Sequence, residues 1–130
     1  MQVQAEHLGI INQVKFLEYV PAAELPILIN QAIALVFPSL WEGFGFPVLE
    51  AMACGTPVIT ANTSSLPEVA GDAAILINPE NSAEITAAMQ AILVDGSLRS
   101  HLRQAGLNQS SQFSWEKTGQ STAAVLEKYL

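Results

Sequence analysis

The chain has 130 residues, half of them hydrophobic and 13% charged, which suits one compact domain and excludes collagen, coiled coil and disorder. Five Lys and Arg stand against twelve Asp and Glu, a formal net charge of −7 that repels phosphate backbones and acidic membranes and argues against nucleic acid as a partner. The lone Cys54 cannot form an internal disulfide, no apolar run approaches the roughly 18 residues of a transmembrane segment, and residues 2–6 lack the basic and apolar character of a signal peptide, so a cytoplasmic location is expected.

Along the chain, short apolar runs alternate with amphipathic segments, a pattern that calls for a parallel sheet with helices on both faces. Residues 14–17 (Val-Lys-Phe-Leu) form the first predicted strand. Pro21 and Ala22 lead into a predicted helix over 23–31, with Leu25, Leu28 and Ile29 on one face and Pro26 in the first turn, where a missing N–H costs little. Residues 34–37, 57–60 and 74–77 are near-continuous apolar runs of the kind buried on both faces of a sheet. Glu68 falls in a short helix start at Leu66-Pro67-Glu68-Val69, where first-turn capping is favoured over support of a neighbouring loop.

After the last strand, Asn81 and Glu84 are spaced as an N-cap and third helical residue, and Ile85, Ala88, Met89, Ile92 and Leu93 follow at helical spacing. Asp95-Gly96 stops that helix. Ser97 is expected to cap the next, which carries Leu98, Leu102 and Ala105 on one side and Arg99 and Arg103 outward. Ser114 caps a terminal helix whose stripe of Trp115, Thr118, Thr122, Val125, Leu126 and Tyr129 is a core or docking face. His7 and His101 read as surface residues without ligand spacing, so no metal is expected, and Cys54 reads as a small packed residue.

The stretch from Phe37 to Thr60, FPSLWEGFGFPVLEAMACGTPVIT, is a strand, a glycine-punctuated loop, a helix and a second strand. In an open parallel sheet a ligand sits at the carboxyl ends of the strands, where this loop lies. Gly43 and Gly45 permit backbone conformations and close approaches that a side chain would block, and Pro47 suits the first helical position. The amides of Phe44, Gly45 and Phe46 would then face outward at a positive helix end, suited to a phosphate or to sugar hydroxyls. Glu42 and Glu50, with seven residues between them, frame the loop with carboxylates of the kind that hold vicinal hydroxyls. Taken alone, Glu50 reads better as a favourable charge at a helix N-terminus, while for Glu42, which sits in no helix, a solvated loop acid is the lesser alternative.

From Pro38 to Ile59, through the Ser64 to Ala74 segment (SSLPEVAGDAA), the Val14 to Val20 segment and Phe113-Ser114-Trp115, the sequence resembles the retaining glycosyltransferases of family 4, also called group 1 glycosyltransferases. The resemblance covers nearly the whole chain. It implies an α/β, Rossmann-like parallel sheet with helices on both faces, forming residues 1–130 as the nucleotide-sugar-binding, C-terminal half of a GT-B glycosyltransferase. Its first strand-helix unit is expected to be missing, which would leave a bare sheet edge. It further implies that Glu42 binds donor-sugar hydroxyls nearest the reacting carbon, as the catalytic candidate. Gly43 and the backbone of Phe44, Gly45 and Phe46 would hold sugar hydroxyls and diphosphate, and Glu50 the ribose. The implied reaction is metal-independent and retaining: the nucleotide-sugar donor loses its diphosphate on the face the acceptor hydroxyl attacks, and no cofactor takes part.

The cations that clamp the diphosphate in this family have no counterpart among Lys15, Arg99, Arg103, Lys117 and Lys128, and Glu18 stands where a glycine often follows the Phe-Leu pair. Transfer by this chain alone is therefore not expected. A partner chain carrying an N-terminal domain, or a second copy, is the expected protein partner, in keeping with a charged fraction well below the ~25% of an average soluble domain. A nucleotide-sugar-binding module without turnover and an interaction domain without donor affinity stay open as rivals.

Overall fold

Strands exist only where a neighbour completes their hydrogen-bond ladder, and this decides which of the four predicted strands form. In the computed structural model, which describes residues 1–129, the sheet has three: β1 (Leu35–Phe37), β2 (Val58–Ala61) and β3 (Ala74–Ile77), all parallel, in the order β1-β2-β3. Residues 14–17 do not join it. Val14 is extended, at φ −112° and ψ 122°, but among the described residues the segment has no strand to pair with, and Val14 and Leu17 stay exposed. β1 is accordingly an edge of the sheet.

Among the described residues there are seven α-helices. α1 (Gln2–His7) precedes a single 3-10 turn at Ile11–Gln13, and neither was foreseen from the sequence. α2 (Leu25–Gln31) begins two residues later than predicted with Pro26 in its first turn, and Leu28, expected to face inward, is exposed. α3 (Phe46–Ala53) connects β1 to β2, and α4 (Leu66–Ala70) connects β2 to β3 with Glu68 in its first turn. Adjacent residues of β2 serve opposite layers. Val58 belongs to a cluster with Val48, Ala51, Met52, Leu66 and Val69 from α3 and α4, and Ile59 to one with Ile77, Ala88, Ile92 and Leu102. The sheet is thus covered on both faces, as its apolar runs require. Among the described residues no helix is long and apolar enough to cross a membrane.

Asn81 caps α5 (Ser82–Val94) by accepting from the amides of Ala83 and Glu84, while the Glu84 carboxylate reaches back to the amide of Asn78 at 3.1 Å instead of to Asn81. The cap of α6 (Gly96–Ser110) is Asp95, not Ser97. Its Oδ1 accepts from the amides of Ser97 and Leu98 at 2.9 and 3.0 Å and from the Ser97 hydroxyl at 2.7 Å. A carboxylate accepts more bonds than a hydroxyl, and Asp95 therefore takes the capping position while Ser97 becomes its donor. Ser114 caps α7 (Trp115–Leu126) through the amide of Lys117, as expected.

The Ser97 hydroxyl, foremost, then the Leu98 amide, and to a lesser degree the Ser97 amide and the Arg99 charge, hold the Asp95 carboxyl below the ordinary aspartate range against the opposing effect of desolvation. A depressed carboxyl contributes stability that is present above its unfolded pKa and is lost as pH falls through the folded one. Asp95→Asn should therefore flatten the acid limb of the melting-temperature profile below about pH 4 relative to wild type. Parallel acid limbs for the two proteins would refute this assignment.

Candidate functional site

Because β1 and β2 are parallel neighbours with Phe37 opposite Thr60, the segments that leave their carboxyl ends, 38–45 and 62–65, emerge side by side. Thr60 Oγ1 fixes the exit by donating to the Phe37 carbonyl at 3.0 Å, and Thr63 Oγ1 donates to the Leu40 carbonyl at 3.3 Å. Ser64 Oγ accepts from the Glu42 amide at 2.9 Å and donates to the Glu42 carbonyl at 3.0 Å. Ser65 Oγ lies 2.8 Å from the Phe44 carbonyl and 3.0 Å from that of Glu42, its single proton shared between them. The glycine loop is therefore held from one side by two consecutive hydroxyls.

Gly45 is the turning point. It sits at φ +106° as the N-cap of α3, and a Cβ there would stand 2.7 Å from Leu66 Cδ2. Only glycine meets both conditions. Gly43 differs: its φ is ordinary and a Cβ would meet no atom within 4 Å, so the close approach expected there is not one made by the protein itself. α3 starts at Phe46, one residue before the expected Pro47, and the Gly45 carbonyl accepts from the amides of Val48 and Leu49. No side chain caps the helix. Among the described residues the amides of Gly43, Phe44, Gly45 and Phe46 have no acceptor, which leaves four adjacent donors at the positive end of a helix.

Glu42 is half-buried, its Oε1 accepting from Ser39 Oγ at 2.9 Å, so it is not the freely solvated acid of the simpler reading. Glu50 is exposed and lies in the second turn of α3, beyond the first turn where a helix-dipole role would place it. It falls one turn after Phe46, on the same side of the helix. Phe44 and Phe46 stack at 4.8 Å, Phe113 meets Phe44 edge-on at 5.9 Å, and Trp115 lies 6.3 Å from Phe46. These rings, with Leu49, Ser114 and Thr118, line an apolar groove of about 350 Å³. Neither Glu42 nor Glu50 lines it.

The groove is the feature that sequence reasoning missed. Of the two readings of Trp115 and Tyr129, core or docking, the structure excludes the core one: no residue of α7 is buried and both are more than three-quarters exposed. The available signal was the aromatic pair Phe113 and Trp115 around the cap Ser114, and nothing in its spacing tied it to a loop some 70 residues earlier. The arginines are engaged in backbone hydrogen bonds as well. Arg103 is exposed as expected, yet its guanidinium donates to the Gly55 carbonyl at 3.0 Å just past the end of α3, while Arg99 is half-buried and donates to the Ile92 and Leu93 carbonyls near the end of α5. Lys117 Nζ donates to the Gln112 carbonyl at 3.0 Å. Among the described residues no cation donates to the loop. Cys54 is half-buried, its carbonyl accepting from the Asn30 amide group at 2.7 Å, while His7 and His101 are exposed as expected.

The family model described as "Glycosyl transferases group 1" matches residues 1–109. Over 103 residues the chain is 47% identical to O-antigen chain mannosyltransferase B of Escherichia coli, a match that covers 79% of this chain and 27% of that protein. It is 35% identical over 125 residues to MMP alpha-(1->4)-mannosyltransferase of Mycolicibacterium hassiacum, covering 93% of this chain and 30% of that one. In three dimensions it superimposes on the GT-B sucrose-phosphate synthase of Thermosynechococcus elongatus with a TM-score of 0.87 at 25% identity, over 98% of this chain and 33% of that structure. The chain thus spans about a quarter to a third of the length of these relatives.

Proposed function

The chain belongs to the group 1 glycosyltransferase family, and from that premise we propose that it is the donor-binding part of a retaining, metal-independent glycosyltransferase. Its donor is a nucleoside diphosphate sugar, with mannose as the first choice because the relatives above are named mannosyltransferases. The observation that carries this reading is the row of four acceptor-free amides from Gly43 to Phe46 at the uncapped start of α3. In a chain of net charge −7, main-chain dipoles offer an anion a binding place without a cationic side chain.

In this reading the amides hold the diphosphate and neighbouring sugar hydroxyls. Glu42, its carboxylate steadied by Ser39, accepts from hydroxyls of the donor sugar beside the reacting carbon, and Glu50 accepts from the ribose. The acceptor hydroxyl attacks on the face from which the diphosphate departs. Charge building on that leaving group needs preorganised donors, and no described cation of this chain donates to the loop. The acceptor site and the cations therefore belong to protein outside these residues, and the isolated chain binds donor without turning it over.

Calorimetric titration of the chain with GDP-mannose and UDP-glucose in the presence of EDTA should show weak binding of at least one. Glu42→Ala and Glu50→Ala should each weaken it by about tenfold or more, since hydrogen bonds to a charged group contribute roughly 1.5–3 kcal/mol. No heat and no thermal stabilisation with either donor would defeat the reading and favour an interaction domain.

A further inference from the structure

We propose that Ser64 and Ser65 are positioning residues that set the donor loop in its binding geometry before a donor arrives. This rests on the donor-site reading above. Around Glu42 the loop has little else to fix it: Gly43 is uncrowded, Glu42 lies outside any helix or strand, and the four amides that would meet the donor have no acceptor among the described residues. What does fix it comes from the neighbouring connection. One hydroxyl, that of Ser64, engages both the N–H and the C=O of Glu42, as a paired strand would, and the next, that of Ser65, holds the Phe44 and Glu42 carbonyls. Across a trans peptide the N–H points opposite to the C=O, so with the carbonyls of 42 and 44 turned toward the serines the amides of Gly43 and Gly45 face the other way.

The backbone at Ser64 points to the same role. At φ +53° it is the only non-glycine among the described residues with positive φ, a conformation a serine rarely adopts and glycine takes readily. Glycine would satisfy the turn and lose the hydroxyl. A strained residue persists where its surroundings over-determine it, and here the over-determination consists of two hydrogen bonds to one loop residue. Ser39 extends the device from backbone to side chain by donating to the Glu42 carboxylate.

Ser64→Gly separates shape from grip, because it suits the backbone while removing both bonds to Glu42. Whichever of GDP-mannose and UDP-glucose binds the wild-type chain should bind Ser64→Gly and Ser65→Ala about tenfold more weakly. Ser65→Thr, which keeps the hydroxyl, should recover most of the affinity. In the free chain, hydrogen exchange of the Glu42 amide should speed up at least tenfold in Ser64→Gly, with the melting temperature close to that of wild type. Wild-type affinity in Ser64→Gly and Ser65→Ala, while Glu42→Ala is weakened, would overturn the positioning role and leave the donor-site reading standing. Absence of binding by the wild-type chain would overturn both.

Discussion

Gly45→Ala should lower the stability of the chain by roughly 2–4 kcal/mol and its melting temperature by about 10 °C. Two independent costs add. A residue with a Cβ at φ +106° sits outside the allowed regions for an L-amino acid, and the added methyl stands 2.7 Å from Leu66 Cδ2. Leu66 is fully buried in the α3–α4 layer, so it cannot swing into solvent to make room. Its truncation offers a check on the steric part. Leu66→Ala alone leaves a cavity and costs about 2–5 kcal/mol, but in Gly45→Ala/Leu66→Ala the new methyl occupies part of the vacated space. The double variant should then be more stable than the sum of the singles by about 1 kcal/mol, the remainder being the backbone term. Thermal melts of the four proteins decide it, and strict additivity would show that the contact with Leu66 is not what restricts position 45. Donor affinity should fall as well, since the same distortion turns the Phe44 and Phe46 amides.

What the sequence revealed and what it concealed follow from the range of the interactions involved. The three strands that form were legible as apolar runs because a strand buried on both faces leaves no polar alternation to misread. Residues 14–17 carry a similar run and fail to form a strand, because pairing depends on a neighbour that local sequence does not report. The caps at Asn81 and Ser114 were legible, as both act within three residues. The exchange of roles between Asp95 and Ser97 was not, since both residue types cap and only the geometry decides which accepts. The glycine loop and its two acids were visible as a motif. The Ser64 and Ser65 grip, more than 20 residues away, and the Phe113 and Trp115 stack, about 70 residues away, depend on parallel pairing and helix packing that bring separate connections together.

Met52→Ala should destabilise the chain by about 3 kcal/mol while leaving the affinity of the folded protein for a nucleoside diphosphate sugar within about twofold of wild type. Met52 is fully buried on α3, and its side chain lies on Gly106 of α6, where an added Cβ would come within 3.2 Å of Cγ and 3.4 Å of Cβ. This close crossing anchors the last turn of α3, and α3 packs on α6 more extensively than on any other helix. The helix start that carries the free amides is held separately, by Gly45, Leu66 and the two serines. Losing the anchor therefore lowers the population of folded protein without redirecting the amides, whereas Gly45→Ala changes both. The crossing also explains a glycine inside α6, a placement that ordinarily costs a helix about 1 kcal/mol relative to alanine. With Met52 shortened, the tightest contact, at 3.2 Å to Cγ, is removed and only the ordinary ones at 3.4 and 3.5 Å to Cβ and Cα remain, so Gly106→Ala should be stabilising in the Met52→Ala background and neutral or destabilising in the wild type. Chemical denaturation of the four combinations, with donor titrations at low temperature where all are folded, tests both parts. An equal effect of Gly106→Ala in the two backgrounds would show that Met52 is not what keeps position 106 a glycine. A tenfold loss of donor affinity in Met52→Ala would show that the anchor and the amide row act as one unit.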